Sequence, residues 1–399
     1  MITTEPPRRG RTGRTWLAPV VTVLALLGVL GGCSAIPGSP FASPVPFSLA
    51  ASVPAGAADV APSDPVVVSA AGGQITSVTV TPAGAAPLAG TPDPSGTRWT
   101  SARLAYDTEY RVQAAGVDSD GRPGAPIDQT FRTVEKPEQT LEVASIRPTD
   151  GQTVGVAMPI SITFDAPVGD RAAVERRVSV TTSVPTEGSF HWMSDEQLNW
   201  RPKEYWRPGT QVTVDARLFG VAAGRGLDGG ADTSFSFTVG RDQRVRGDVN
   251  AHTLVLSQDG REVRTLPASF GRPEYPTQSG IHVAFEKYEV KRMRSESWGG
   301  PAAGEPGFYD EELPFAVRIS NNGEFVHVNA ATVSQQGRSN VSHGCANVSP
   351  ADGEMFFNWV QMGDPVEIVG SERPLTPADG DIADWTIPWE QYRQGSALA

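Results

Sequence analysis

The sequence reads Phe325-Val326-His327-Val328 and then, after a loop rich in Gly, Ser and Asn, Ser342-His343-Gly344-Cys345-Ala346-Asn347-Val348-Ser349. The first run is typical of a β-strand, and the second contains a cysteine eighteen residues after His327 and two after His343. A thiol needs a nearby base to form a thiolate at neutral pH, and histidine is the side chain whose pKa suits that role. We therefore predict a cysteine acyl-transfer site on a β scaffold.

The residues around the cysteine predict a turn held by a rigid element. Gly344 allows the backbone to turn sharply, so that N–H groups near Cys345 can face a developing oxyanion. A helix is predicted at residues 351–361, because Ser349-Pro350 precedes it and Met362-Gly363 follows it. The other runs between residues 241 and 370 are β-prone, so we expect a β-rich catalytic domain with one short helix after the cysteine.

At these residues the sequence resembles a known family. The pattern His-x17-Cys, ending in Ser-His-Gly-Cys-x-Asn, is similar to the signature of the L,D-transpeptidases, whose YkuD-type catalytic domain cross-links peptidoglycan. The resemblance implies that Cys345 is the nucleophile and His327 the proton donor and acceptor. It also implies an oxyanion and signature loop formed by Ser342, His343 and Gly344. The substrate contacts that it implies are Tyr309, Asn322, Gly323 and Asn347.

For the reaction, the resemblance implies two steps that need neither a cofactor nor a metal. The cysteine attacks the carbonyl between the third, diaminopimelate-type residue of a peptidoglycan tetrapeptide stem and its terminal D-Ala, which leaves as the thioester forms. The side-chain amine of a second stem then attacks the thioester and forms a 3→3 cross-link. Because carbapenems acylate members of this family, they are expected to acylate Cys345 as well.

Several alternatives remain open from the sequence. Water as the acceptor would make the protein an L,D-carboxypeptidase, and a protein lysine would make it an enzyme that attaches proteins to the wall. A non-catalytic lipoprotein that binds the cell wall is a further alternative. Cys345 could also be an inert buried thiol, or a zinc ligand together with His327 and His343, although no fourth ligand is evident.

Residues 289–314 are predicted to form a mobile lid over the cysteine. Three glycines between Trp298 and Gly304 provide freedom for a hinge, while Trp298, Phe308 and Tyr309 provide apolar surface that would exclude water from a thioester. The family resemblance implies that the Tyr309 hydroxyl points toward the oxyanion site.

Upstream of the catalytic region, the sequence predicts two further β domains. Short β-prone runs separated by turn-forming residues indicate two tandem immunoglobulin-like sandwiches, at residues 61–137 and 138–240. Three tryptophans of the second sandwich are interpreted as core residues rather than as a carbohydrate platform, namely Trp192, Trp200 and Trp206. Residues 371–399, which include Trp385 and Trp389, are expected to form a C-terminal tail that packs on the catalytic domain.

Residues 1–32 are predicted to be a lipoprotein signal peptide. Four arginines precede an apolar stretch that ends in Leu30-Gly31-Gly32-Cys33, which resembles a bacterial lipobox. Lipidation of Cys33 would anchor the protein to the cell membrane on its extracytoplasmic face. Residues 33–60 are rich in Pro, Ser and Ala and are expected to form a tether. A signal anchor with an incidental cysteine is the alternative.

The composition excludes several other classes of protein. A formal net charge of −12 and a pI near 5.0 argue against nucleic acid as the main partner, because phosphate neutralisation needs a basic face. Gly and Pro together provide 76 of the 399 residues, which favours short strands and turns over a helical bundle. Because only two cysteines occur, a multi-disulfide scaffold and a four-cysteine zinc site are both excluded.

Overall fold

The computed structural model describes residues 45–379 and 382–399. The predicted signal peptide, Cys33 and the first part of the predicted tether lie outside these described residues. Strands dominate the described chain, which confirms the prediction of a mainly β fold with two sandwiches ahead of a β-rich domain. None of the helices within the described ranges is long and apolar enough to cross a membrane.

The first sandwich consists of a four-stranded and a three-stranded sheet. The four-stranded sheet has the spatial order Ser48–Ala51, Val67–Ala71, Arg98–Ser101 and Gly90–Pro92. The three-stranded sheet has the order Gly73–Pro82, Glu109–Asp118 and Ile127–Arg132. Because Ser48–Ala51 pairs with Val67–Ala71, the prediction that the tether extends to residue 60 is wrong. The run resembles a linker in composition, but its Leu49 and Ala51 pack against the core of the sandwich.

The second sandwich has two four-stranded sheets. One has the spatial order Gln152–Val154, Thr233–Val239, Gln211–Ala216 and Val178–Thr182. The other has the order Gly188–Trp192, Gln197–Pro202, Ile160–Phe164 and Val143–Arg147. A small third sheet at one end has the order Ala222–Gly224, Leu227–Gly229 and Thr140–Leu141. A short helix, Arg171–Glu175, which the sequence did not predict, is capped by Asp170.

The three tryptophans of the second sandwich lie in its core. Trp192, Trp200 and Trp206 are at most 7% exposed, and the rings of Trp200 and Trp206 stack with their centroids 5.2 Å apart. The indole N–H of Trp206 donates to the Met158 carbonyl at 2.8 Å, so its polar atom is satisfied inside the protein. The prediction of core packing is therefore confirmed, because a carbohydrate platform would need exposed ring faces.

The C-terminal β-rich domain contains two sheets and one helix. Its five-stranded sheet has the order Arg261–Pro267, Thr253–Gln258, Gln243–Asp248, Pro365–Val369 and Gly280–Val283. Its four-stranded sheet has the order Glu286–Arg294, Asp310–Arg318, Phe325–Val328 and Ala346–Val348. The helix Pro350–Trp359 confirms the predicted helix, and Ser349 caps it by accepting the Asp352 N–H at 3.2 Å. Short 3₁₀ turns occupy Ser295–Trp298, Ala330–Thr332, Pro377–Asp379 and Asp384–Thr386.

Backbone hydrogen bonds join the second sandwich to the β-rich domain within one compact unit, Pro46–Ala399. The Gly155 and Ala157 N–H groups donate to the carbonyls of Met362 and Gly363, at 2.7 and 2.8 Å. A Cβ atom at Gly155 would lie 2.2 Å from the Asp364 carboxylate, so only glycine allows this close approach. The turn that ends the helix is therefore held directly by the neighbouring domain.

The C-terminal tail packs on the catalytic domain, as predicted, and also on the second sandwich, which the sequence did not predict. Its first part does contact the β-rich domain, where the Leu375 N–H donates to the Ser279 carbonyl at 2.7 Å. From Asp384 onward, Trp385 packs against the cluster that contains Val283 and Phe285 of the β-rich domain, while other residues of the tail bind buried polar groups of the sandwich, which need partners inside the protein. Thus Glu175, which is 2% exposed, accepts the Ala397 N–H at 2.8 Å.

An arginine and a carboxylate form the centre of this tail interface. Arg201 is 3% exposed, and its guanidinium lies 4.4–5.2 Å from the ring centroids of Trp385, Trp389 and Tyr392. Asp384 accepts the Asn199 amide at 3.0 Å and the Tyr392 hydroxyl at 2.7 Å. Sandwich and tail thus provide hydrogen-bond partners for several of each other's buried polar groups. The helix Trp389–Arg393 is part of this interface.

Asp384→Ala is expected to destabilise the second sandwich by about 2–4 kcal/mol, because it removes the acceptor of two buried donors and a countercharge near Arg201. The measurement is the urea midpoint of the transition followed by tryptophan fluorescence, which should fall.

The matched control is Glu390→Ala, also in the tail, whose exposed carboxylate makes one 3.8 Å ion pair with Arg393. We expect it to change stability by less than about 1 kcal/mol. Equal urea midpoints for the two variants would contradict the importance of the Asp384 network.

Candidate active site

Parallel strand pairing brings the two halves of the sequence signature together. Phe325–Val328 pairs in parallel with Ala346–Val348, and in this register His327 lies opposite Asn347. Cys345 comes two residues before Asn347, and residues two apart on an extended chain share a face. The register therefore puts the cysteine and His327 on one side of the sheet, although seventeen residues of chain separate the two strands.

A cavity with an empty volume of about 580 Å³ opens on this side of the sheet. It brings together six of the residues that the sequence predicted for the site, namely Tyr309, His327, Ser342, His343, Cys345 and Asn347. The sequence did not predict the other six residues of its lining, Met293, Glu311, Leu313, Asn329, Thr332 and Val341. Most of these come from the strands and the loop that surround the signature, and no motif distinguishes them.

The environment of His327 makes it a neutral base. Its side chain is 3% exposed, and Nδ1 donates to the Val328 carbonyl at 2.9 Å. This hydrogen bond places the proton on Nδ1 and leaves Nε2 as an acceptor. Burial lowers the pKa of His327 to about 4, so the imidazole is unprotonated at neutral pH.

The environment of Cys345 keeps its thiol protonated. The side chain is half-buried, and Sγ lies 3.7 Å from the Gly323 carbonyl oxygen, to which the thiol donates. Burial raises the pKa of Cys345 to about 12, and the negative charge of Glu324 acts in the same direction, although the Phe325 N–H opposes both effects. At neutral pH both side chains are therefore uncharged.

Hydrogen bonds hold the loop around the cysteine in place. The Ser342 hydroxyl donates to the Cys345 carbonyl at 2.6 Å and accepts the Gly344 N–H at 3.1 Å. The Gly344 carbonyl accepts the Thr277 hydroxyl at 2.6 Å, and Gly344 has a φ of 127° that favours glycine. Gly344 therefore forms the sharp turn before Cys345 that the sequence predicted, with its own N–H donated to Ser342.

His343 is engaged by its neighbours and does not compete with His327 as the base. Its Nε2 lies 2.8 Å from an Arg272 guanidinium nitrogen, which can only donate. The rings of Tyr275 and Tyr309 lie 5.1 and 5.0 Å from its ring, centroid to centroid. Burial and the positive charge of Arg272 both lower the pKa of His343. His343 therefore lines the cavity as an uncharged side chain.

Two of the predicted substrate contacts lie in a second cavity beside the first. Asn322 and Gly323 line a space with an empty volume of about 870 Å³, and Met293 and Tyr309 line both cavities. The Asn322 side chain is hydrogen-bonded to Gln278 and Ser320. The structure therefore divides the predicted substrate contacts between two adjoining spaces, with Tyr309 shared between them.

The predicted lid is shorter than expected. Glu286–Arg294 and Asp310–Arg318 form an antiparallel hairpin, paired from Glu286 opposite Arg318 to Arg294 opposite Asp310. The prediction of a lid over the whole of residues 289–314 is therefore wrong at both ends, because backbone hydrogen bonds fix those residues in strands. Only residues 295–309 form the connection between the two strands, and Tyr309 stands at its end.

Metal binding has no geometric support in the described ranges. Within residues 45–379 and 382–399, no group of three or more His, Cys, Asp or Glu side chains is arranged to hold a metal ion.

Sequence comparisons identify both parts of the chain. The family profile of the bacterial Ig domain matches residues 57–222, and that of the YkuD L,D-transpeptidase catalytic domain matches residues 242–368. L,D-transpeptidase 2 of Mycobacterium tuberculosis is 35% identical over 403 aligned residues, which cover 98% of this chain and 97% of the relative. L,D-transpeptidase 5 of the same species is 40% identical over 350 residues, covering 86% of this chain and 75% of the relative.

A comparison of structures agrees with these matches. A solved structure of an LD transpeptidase in complex with imipenem has a TM-score of 0.51 and 36% sequence identity. The match covers 58% of this chain and all of that chain. The family profile, the two relatives and the solved structure thus point to the same family. The chain belongs to the L,D-transpeptidase family and has a YkuD catalytic domain.

Proposed function

We propose that this protein is a peptidoglycan L,D-transpeptidase that uses Cys345 as its nucleophile and forms 3→3 cross-links with release of D-Ala. The observation that supports this most strongly is the shared cavity, in which a neutral His327 and a protonated Cys345 lie on the same face of two paired strands. The names of the relatives support the same activity.

In the first step, the Cys345 sulfur attacks the carbonyl carbon between the third stem residue and D-Ala. His327 Nε2 takes the thiol proton as the S–C bond forms, so no isolated thiolate has to be stabilised in a buried site. The C–N bond then breaks, and the imidazolium returns the proton to the leaving amine of D-Ala. The product is a thioester between Cys345 and the donor stem.

In the second step, the side-chain amine of another stem attacks the thioester carbonyl. His327 removes a proton from the attacking amine and returns it to the sulfur as the C–S bond breaks. The products are a 3→3 cross-linked dimer and the free thiol. Water that enters the cavity would instead give a tripeptide, which is the carboxypeptidase alternative, and a protein lysine would give a wall-attached protein.

Carbapenems are proposed to react at the same thiol. Attack of the Cys345 sulfur on the β-lactam carbonyl opens the ring and leaves an acyl-enzyme, with the thiol proton passing to the ring nitrogen. The structural relative in complex with imipenem supports this proposal.

Cys345→Ala is expected to abolish both the carbapenem adduct and all turnover of disaccharide-tetrapeptide, because no other thiol is available in a protein whose Cys33 is lipidated or removed. Mass spectrometry of the intact protein measures the adduct, and mass spectrometry of the muropeptides measures dimer and tripeptide. An adduct that persists in Cys345→Ala would overturn the assignment of the nucleophile.

The same muropeptide experiment separates the possible acceptors. Cross-linked dimer supports transpeptidation, tripeptide alone would indicate an L,D-carboxypeptidase, and transfer only to an added protein lysine would indicate protein attachment. If wild-type protein gave neither an adduct nor any product, a wall-binding role would replace the enzymatic one.

The low pKa of His327 predicts a flat pH profile for acylation. Because its pKa is about 4, the imidazole remains a base at pH 5, and the carbapenem acylation rate there should lie within about twofold of the rate at pH 7. If the base had the ordinary pKa of 6.5, the acylation rate would fall about 30-fold from pH 7 to pH 5. The measurement is the single-turnover adduct rate by quenched mass spectrometry between pH 5 and pH 8.

His327→Ala should lower this rate by about 10²–10⁴-fold, which is the usual contribution of a general base. The matched control is His252→Ala, because His252 binds the Asn340 side chain at 2.9 Å and does not line the cavity. A rate that rises tenfold for each pH unit in wild-type protein would show instead that a preformed thiolate attacks.

We also propose that residues 1–32 are removed and that Cys33 carries lipid, which anchors the protein on the extracytoplasmic face of the cell membrane. The supporting observation is the sequence Leu30-Gly31-Gly32-Cys33 after a basic and an apolar segment.

The Cys33→Ala variant is therefore expected not to incorporate labelled palmitate. It should also be absent from the membrane fraction that detergent extracts. Cys345→Ala serves as the control, because it changes the other cysteine and should keep the label. Equal labelling of the wild type and Cys33→Ala would refute the lipid anchor.

A further inference from the structure

Glu311 projects from the hairpin into the catalytic cavity. In the register of the hairpin it lies opposite Met293, which also lines the cavity. Tyr309, Glu311 and Leu313 are two residues apart in sequence and all three line the same space, as expected for one face of an extended chain. The intervening Glu312 lies opposite Arg292 in the same register and does not line the cavity.

Glu311 gives the cavity a negative charge that nothing in its lining balances. Burial keeps both His327 and His343 neutral by lowering their pKa values, and it keeps Cys345 a neutral thiol by raising its pKa. Glu311 is then the one lining residue with a full charge at neutral pH. In the part of the chain that the structure describes, its carboxylate has no hydrogen bond or ion pair, whereas the adjacent Asp310 pairs with Arg292 at 2.7 Å.

We propose that Glu311 is a specificity residue that binds the protonated side-chain amine of the third residue of a peptidoglycan stem. This inference rests on the proposed function, because it takes the stem peptide as the substrate. Glu311 is exposed, and an unpaired carboxylate at the mouth of a cavity attracts a cation and repels another carboxylate. In the stem peptide, the side-chain amine of the third residue is the cationic group.

Two stems carry this ammonium group, and Glu311 would affect a different step for each. In the donor stem the amine is remote from the reacting carbonyl, so an ion pair with Glu311 would orient that carbonyl over Cys345. In the acceptor stem the ammonium is the protonated form of the nucleophile, so the carboxylate would raise its local concentration; one proton is released to water to give the free amine, and His327 takes the second as that amine attacks. The rate of acylation therefore tests binding of the donor stem, and the transfer of the acyl group tests binding of the acceptor stem.

The test compares the purified full-length protein with Glu311→Gln, which keeps the shape of the side chain and removes its charge. The matched control is Glu312→Gln on the next residue of the same strand, whose carboxylate is exposed and does not line the cavity. Neither residue takes part in proton transfer, and both variants leave Cys345 and His327 unchanged.

The donor arm measures acylation with a tetrapeptide stem whose third residue has a free side-chain amine, and with the same stem acetylated on that amine. Wild-type protein should prefer the free amine by about fivefold in kcat/KM, as expected for a partly exposed ion pair. Glu311→Gln should lose this preference, and 0.5 M salt should reduce it in the wild type. Glu312→Gln should retain it.

The acceptor arm measures how the preformed acyl-enzyme divides between an acceptor stem with a free amine and hydroxylamine, a nucleophile that is uncharged at neutral pH. If Glu311 binds the acceptor, Glu311→Gln should lower the yield of cross-linked dimer about fivefold relative to the hydroxylamine product. Loss in either arm supports the proposal and identifies the stem that Glu311 contacts.

The proposal is overturned if Glu311→Gln matches the wild type in both arms, or if it loses activity equally on charged and uncharged substrates. The second result would indicate a change in the shape of the hairpin and not in recognition. A wild-type protein that forms no acyl-enzyme on Cys345 with any stem would instead refute the proposed function, so the two failures are distinguishable.

Discussion

The parallel pairing of Phe325–Val328 with Ala346–Val348 is the constraint on which the site depends. It sets the register that places His327 and Cys345 on one face, and a slip of one residue would turn one of them to the opposite face. A parallel pair needs a long crossover, and here that crossover is the polar loop that carries Ser342 and His343. The catalytic signature is therefore also the connection that the sheet topology requires.

Burial then determines how the two reacting groups can work. A thiol in this environment stays protonated and an imidazole stays neutral, because the site disfavours isolated charges. In the proposed mechanism the thiolate of Cys345 therefore forms only during the attack, and the low thiolate content at rest limits oxidation of the sulfur. The charge that remains in the cavity belongs to Glu311, which is placed to act on the substrate rather than on the thiol.

The supports of the site come from well beyond the signature. Thr277 holds the Gly344 carbonyl and Arg272 holds His343, while the turn after the helix is hydrogen-bonded to the second sandwich. The tail adds a second connection, since its first part contacts the β-rich domain and its last part provides hydrogen-bond partners for Arg201 and Glu175 of the sandwich. The sandwich and the catalytic domain are therefore joined through two separate segments of chain.

The sequence alone determined the family, the helix after the cysteine and the order of β domains, and it singled out Cys345 and His327 as candidates for nucleophile and base, because each rests on a local pattern of residue types. It did not determine the start of the first sandwich at Ser48, the packing of the tail on the second sandwich, or the roles of Thr277, Arg272 and Glu311. These depend on contacts between residues far apart in the chain, and on which side chains share a cavity. The charge states of His327 and Cys345 belong to the same class, because desolvation is a property of the folded environment and not of a residue's neighbours in sequence.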